Sequence, residues 1–247
     1  VYDPFTQVAT LSMIGDVFVI AQPQNYRFDQ DPRTIARKAE AFMQETGIAD
    51  EIRLGPEYEF HVFDHISYEI SPNKTGFSID AEQAAWNSGD DTYPNSGYKI
   101  PVKSGYHIAP PQDVLYDLRA RMCLLMEENN IPVKYHHHEV GGPGQCEIET
   151  PLLGILKAAD SSLIIKYVTK LVARNDGQTV TFLPKPLFGE AGSGMHFHQQ
   201  LIKAGKNLFY DPSGPNLLSK EALWYIGGLL THAPAVLAFT NPSTNSF

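Results

Sequence analysis

The stretch HHHEVGGPGQCEIE, residues 136–149, constrains the fold more than any other part of the chain. Two strand-like runs flank VGGPGQC, so the chain turns back on itself and carries Glu139 and Glu147 toward one place. Glycines at 141, 142 and 144 permit unusual backbone angles or a close backbone approach. A polar surface hairpin and half of a metal site both satisfy this pattern. In a strand the middle one of His136, His137 and His138 points away from its neighbours, so the three cannot serve one ion. A supporting role suits most of them.

A second segment matches the first in chemistry. EIRLGPEYEFHVFD (51–64) alternates, with Glu57, Glu59 and His61 on one face and Tyr58, Phe60 and Val62 on the other. The apolar face is an ordinary core side, which leaves the glutamate face free to wall a cavity. Two carboxylates brought close stay ionised only where solvent or a cation neutralises them. His196 and His198 form another period-2 pair, in MHFHQQLI. Carboxylates with a histidine and no thiolate suit Mg²⁺ or Mn²⁺ better than structural zinc. Four or more acids around one cavity suit two ions, and two ions beside an anionic nucleotide is the arrangement phosphoryl transfer uses. KPLFGEAGSGMHFH adds Lys185 and a glycine loop beside His196, a candidate phosphate or substrate cradle. It is no P-loop, because the lysine precedes the glycines.

The charge balance bears on partners. With 19 basic against 28 acidic residues and a net charge of −9, the chain disfavours nucleic acid, and an anionic substrate needs a cation between it and the protein. Cys123 and Cys146 are the only cysteines and lack zinc-ribbon spacing, which points to a reduced, cytoplasmic protein. YIGGLLTHAPAVLAF (225–239), interrupted by His232 and Pro234, reads as too short for a membrane span, and no secretory leader is expected before Val1. Residues 9–20 read as one buried strand kinked at Gly15. A helix is predicted over 31–47, with Asp31 as cap, Pro32 at its first position and Gly47 at its end. Residues 71–111 read as an extended excursion. Further helices are predicted over 113–130, about 154–175 and after a Ser219 cap, and strands at 133–140, 145–149, TVTFL and MHFHQQLI. Without regular strand–helix alternation this is an α+β pattern, not a doubly wound sheet.

LGPEYEF, HHHEVGGPGQCEIE, KPLFGEAGSGMHFH and NPSTNSF occur in that order. Together they resemble glutamine synthetase of the bacterial class I type, across essentially all 247 residues. The resemblance implies a glutamine synthetase/guanido kinase-like catalytic domain, in which a curved antiparallel sheet carries the active site and long helices pack behind. It implies that Glu59, Glu139 and Glu147 hold the ion near the substrate γ-carboxylate, and that Glu57 and His196 hold the ion serving the ATP phosphates. His198 and Gln200 fall at nucleotide-contacting positions, and Gly192 and Ala191 at glutamate-contacting ones. Two Mg²⁺ or Mn²⁺ sites are implied, with ATP, L-glutamate and ammonia as substrates and a homo-oligomer, a dodecamer of stacked hexamer rings, as the assembly. Neither nucleic acid nor membrane is an expected partner.

The implied reaction activates the γ-carboxylate as an acyl phosphate, which ammonia then displaces; the resemblance singles out no catalytic acid or base. Gln200 replaces a usual serine and Ala191 a common asparagine. Lys134 stands where an acid close to ATP is expected, and Leu152 where an aromatic lines the adenine site. The family's N-terminal β-grasp domain and the later part of its catalytic domain have no counterpart in these residues. Residues 1–247 are therefore expected to be a truncated catalytic domain with little or no synthetase activity alone. A γ-glutamyl ligase using another amine, a cupin-like mononuclear site and a non-catalytic metal-binding member of the family are the alternatives. Three long helices oppose the cupin jelly roll, and the acids at 57, 59, 139 and 147 oppose a dead site.

Overall fold

The structure, a computed structural model, describes residues 2–92 and 94–247. Four two-residue strands open it: Tyr2–Asp3 (β1) pairs with Thr10–Leu11 (β2), and Phe18–Val19 (β3) with Tyr26–Arg27 (β4). The single buried strand expected over 9–20 does not form. Met13 and Ile20 are each 82 % exposed, because this segment lacks an apolar partner and is held by charge instead: Asp16 pairs with Arg27, Arg33 and Arg37. Helix α1, Pro32–Glu45, follows its predicted signals. The Asp31 carboxylate accepts the Thr34 N–H at 3.2 Å, and Gly47 just beyond the end takes φ +67°.

The spine of the fold is the 13-residue strand β5, Glu51–Phe63. Next comes a hairpin, His65–Ser71 (β6) with Lys74–Asp80 (β7), so the excursion expected from residue 71 begins only after a regular strand. Then come α2 (Tyr116–Glu128), β8 (Tyr135–His138), β9 (Gln145–Glu149), β10 (Leu153–Gly154), α3 (Ile155–Asn175) and β11 (Thr179–Thr181). Phe197–Lys203 (β12), Lys206–Asn207 (β13) and helix α4, Lys220–Thr240, complete the order. The main sheet runs β13-β12-β5-β9-β8, with β10 and β11 also on β5, and every pairing is antiparallel.

Alternation along β5 decides where the core lies. Tyr58, Phe60 and Val62 are buried with Cys146 and Ile148 of β9, under Leu118, Met122 and Met126 of α2 and Ile165, Val168 and Val172 of α3. This is the predicted apolar face, and α2 and α3 cover it because their own apolar residues recur at helical spacing. Arg119 of α2 is fully buried in this layer. It forks onto Asp113, donates to Nδ1 of His136 at 3.3 Å and approaches Cys146 Sγ at 3.5 Å, fixing the helix against the back of β8 and β9.

Helix α4 follows its predicted cap and course, but not the reading of 225–239 as too short for a membrane span. Ser219 does cap it, accepting the Ala222 N–H at 3.0 Å, but the helix spans 21 residues with mean hydropathy 1.4. By length and composition it is long and apolar enough to cross a membrane, because Pro234 lies inside it without ending it. Only 6 % of that span is buried within this chain.

Truncating Phe60 to Ala is expected to cost about 3–5 kcal/mol of folding stability through cavity formation. Arg119→Met is expected to cost a similar amount, about 3–5 kcal/mol, because it leaves the Asp113 carboxylate buried without its partner. Urea unfolding of each variant checks both, and an Arg119→Met midpoint equal to that of the parent would contradict the second.

Candidate metal centre

Opposite the core, the polar face of β5 meets that of β9 in register: Glu59 stands across from Glu147, and Glu57 across from Glu149. Strand β8 extends the first row, since His137 pairs with Glu147, and Glu139 follows directly after β8. His137, Glu139 and Glu147 offer ligand atoms that all lie within 4.8 Å of one another. On the other edge, β12 and the residue before it supply histidines. Nδ1 of His196 lies 2.8 Å from Glu57 Oε2 and 3.7 Å from Glu59 Oε1, and Nε2 of His198 lies 2.7 Å from Glu57 Oε1. The fold thus brings Glu57, Glu59, Glu139, Glu147, His196 and His198 onto one surface.

The remaining predicted positions lie close by. Gln200 sits on the same face of β12 as His198, two residues farther along and opposite Arg53. Gly192 offers its carbonyl to Gln145 Nε2 at 2.9 Å, and a Cβ there would meet the Pro184 carbonyl at 2.7 Å, so only glycine fits. Ala191 is half-buried in the loop just before it. A cleft of about 950 Å³ opens beside Glu59 and His196, bounded by residues 184–185, 192–197, 240–243 and Ser246. Asn245 exchanges two hydrogen bonds with the Lys185 backbone, at 2.7 and 2.9 Å, which joins the last sequence motif to the third.

Burial and charge act together here. Burial pushes the Glu147 carboxyl up to about 8, and the charges of Glu57, Glu139 and Glu59 add to that. Glu59 is also raised, first by burial, despite accepting the Gly194 N–H at 3.0 Å. At Glu57, burial acts upward, but the hydrogen bonds from His196 and His198 outweigh it and the net shift is downward. Buried carboxylates that repel one another, flanked by imidazole, are the donor set of a hard or borderline divalent cation, and its charge would relieve the repulsion.

The three histidines divide as alternation requires. His136 turns to Arg119, and His138 is fully buried between Gln83, 2.8 Å from its Nε2, and the Glu139 carbonyl, 2.7 Å from its Nδ1. Only His137 faces the acids, and a stack with His107 at 4.2 Å between ring centroids holds it there.

Three participants escaped the sequence reading. His137 and Glu149 each carried a signal, lying two residues from Glu139 and Glu147 on the same strand faces. Gln145 carried none. Fully buried, it accepts the Gly141 N–H at 2.7 Å and donates to Glu59 Oε2 at 3.2 Å and to the Gly192 carbonyl, tying the hairpin, β5 and the glycine loop together.

An antiparallel sheet that gathers acids and histidines on one face, with helices on the other, defines an α+β domain with a candidate divalent-cation centre. Residues 29–247 match the glutamine synthetase catalytic-domain family. A glutamine synthetase of Streptomyces filamentosus is 46 % identical over 245 residues, covering 99 % of this chain and 52 % of the relative. One of Vibrio cholerae is 48 % identical over 249 residues, covering 100 % and 52 %. A cryo-EM structure of glutamine synthetase from Plasmodium falciparum superposes with a TM-score of 0.82 at 31 % identity, covering 94 % of this chain and 48 % of that one. The chain belongs to the glutamine synthetase catalytic-domain family and spans about half the length of the curated relatives it matches.

A carboxyl raised in the folded state holds its proton more tightly there than in the unfolded chain. The stability it contributes is complete below the ordinary value of 4.5 and is lost as pH rises through about 8. His61, pushed down to about 4 by burial, acts with the opposite sign below 6.5. In the presence of a chelator, the urea midpoint is therefore expected to fall between pH 6.5 and 8, and Glu147→Gln to flatten that slope. A slope unchanged in the variant would refute this assignment.

Proposed function

We propose that this chain is part of the catalytic domain of a longer glutamine synthetase, which joins ammonia to the γ-carboxylate of L-glutamate at the expense of ATP. The observation that carries this reading is the convergence of Glu57, Glu59, Glu139, Glu147 and His196, drawn from three separate sequence motifs, beside an open cleft. In this reading Glu59, Glu139 and Glu147 hold one ion against the γ-carboxylate, and Glu57 with His196 holds a second at the ATP phosphates. A Mg²⁺ or Mn²⁺ ion held by these residues would supply positive charge against the phosphoryl oxygens; the γ-carboxylate would take the terminal phosphoryl group of ATP with ADP leaving, and ammonia would then displace phosphate from the acyl carbon.

The protein's own groups supply position. Gly194 N–H and Gln145 fix the Glu59 carboxylate from two sides. His198 and Gln200 face the nucleotide, and Gly192 and Ala191 face glutamate, where the absence of a Cβ at Gly192 allows a close backbone approach. A cytoplasmic homo-oligomer, a dodecamer, is the assembly this reading carries, with no nucleic-acid or membrane partner.

Two measurements test it. Calorimetric titration of Mn²⁺ into the chain is expected to show binding that Glu59→Ala and Glu139→Ala each weaken by about tenfold or more. In the full-length protein, glutamine formation from glutamate, ammonia and ATP is expected to fall by about a hundredfold or more in Glu59→Gln. Failure of the full-length protein to form glutamine would overturn the ligase reading.

A further inference from the structure

Away from the acidic face, the far end of β5 borders a second cavity, of about 50 Å³. Segments distant in sequence enclose it: the end of β5, residues 81–83 after β7, the turn before α2, Gly144 of the hairpin and Gln178 before β11. One water needs about 10–15 Å³ of such volume, so there is room for a small ion with one or two waters. Gln83 lines this cavity and is 2 % exposed, yet only one of its amide atoms is satisfied. The Glu139 carbonyl, 2.7 Å from His138 Nδ1, can only accept, so in the neutral ring that nitrogen carries the proton and Nε2 accepts. Gln83 Nε2 therefore donates to His138 at 2.8 Å. The atom Gln83 has left for the cavity is Oε1, buried and without a hydrogen-bond partner among the described residues. A buried amide oxygen without a donor is costly, and structures that keep one place a water or an ion beside it.

The lining favours an ion. Asp64 and Glu82 bring negative charge to it, and no lysine, arginine or histidine is among the lining residues. Gln178 donates Nε2 to Asp64 Oδ1 at 2.8 Å, which leaves its own Oε1 as a second amide oxygen. Asp64 Oδ2 accepts the Glu82 N–H at 2.6 Å, so both carboxylate oxygens are already shared with donors. Amide oxygens beside a partly satisfied carboxylate suit a monovalent cation better than Mg²⁺, which demands a near-ideal octahedron of close ligands. Without imidazole or thiolate, the set also has no preference for zinc.

We propose that this cavity is a structural site for a monovalent cation, K⁺ or Na⁺, with Gln83 Oε1, Asp64 and Gln178 Oε1 as its ligands. The ion would tie the hairpin turn, the end of β5 and residues 81–83 together. Through Gln83 and His138 it would also brace the Glu139 backbone. The site stands apart from the acidic face and does not depend on the function proposed for that face.

Urea unfolding at equal ionic strength in potassium, sodium and choline acetate tests it, on the parent chain and on Asp64→Asn, Gln83→Met and Glu139→Gln. On titration to about ten times its Kd, K⁺ or Na⁺ is expected to raise the folded-to-unfolded ratio about tenfold over choline. Asp64→Asn, at an exposed position that does not threaten folding, and Gln83→Met are expected to lose that gain, and Glu139→Gln to keep it. Thallous acetate soaked into crystals of the parent is expected to give an anomalous peak beside Gln83 and Asp64. Equal midpoints in all three salts, or a gain that survives Asp64→Asn, would overturn the proposal. A gain lost only in Glu139→Gln would put the ion on the acidic face and overturn it as well. Density in the cavity without anomalous signal would make the occupant an ordered water and refute the cation.

Discussion

The antiparallel register between β5 and β9 is the constraint on which the rest of the structure depends. It places Glu59 against Glu147 and Glu57 against Glu149 on one face, while Tyr58 and Phe60 meet Ile148 and Cys146 on the other. Because side chains alternate with a period of two, a slip of β9 by one residue would bury Glu147 and Glu149 under α2 and α3 and turn Cys146 and Ile148 outward. The helices therefore enforce the register. Burial of Phe60, Ile148, Met122 and Ile165 holds the strands in place despite the mutual repulsion of the acids, and that repulsion is what makes the face attractive to cations.

Around this pair of strands the site is assembled by hydrogen bonds between distant segments. Gln145 joins the hairpin to Glu59 and Gly192, Asn245 locks Lys185, and Glu190 accepts the backbone N–H groups of Lys103 at 3.1 Å and Gly142 at 3.4 Å. Close packing of backbone on backbone makes these links possible. A Cβ at Gly144 would collide with the Val62 carbonyl, and one at Gly142 would reach within 2.6 Å of the Pro101 carbonyl. The glycines of the hairpin are thus required by proximity to β5 and to the loop before α2, beyond the needs of the turn itself.

Lys134 illustrates how a departure from the family pattern is absorbed. An ammonium stands where an acid is expected, and Glu149 on the neighbouring strand accepts it at 2.6 Å. Helix α4 is a different case. Trp224, Leu230 and Phe239 are 70 %, 73 % and 85 % exposed, although the helix lies within the region that matches the family domain. Its sequence has the composition of a packed helix, yet this chain provides only slight cover for it.

Wherever local periodicity and capping chemistry decide the outcome, the sequence was sufficient. It determined α1 through Asp31, Pro32 and Gly47, the two faces of β5, the hairpin 135–149, and the candidacy of Glu57, Glu59, Glu139 and Glu147, because alternation and cap geometry act over a few residues. It misread residues 9–20, whose apolar character finds no partner, and it read 225–239 as too short for a membrane span although α4 runs unbroken through Pro234. What only the tertiary structure decided is which strands lie side by side. That pairing turned His137 and Glu149 from neighbours in sequence into members of the acidic face, and made Gln145 and Asn245 the links that hold it. Such contacts span from 47 to 86 residues at Gln145 and 60 at Asn245, a separation that no local pattern encodes.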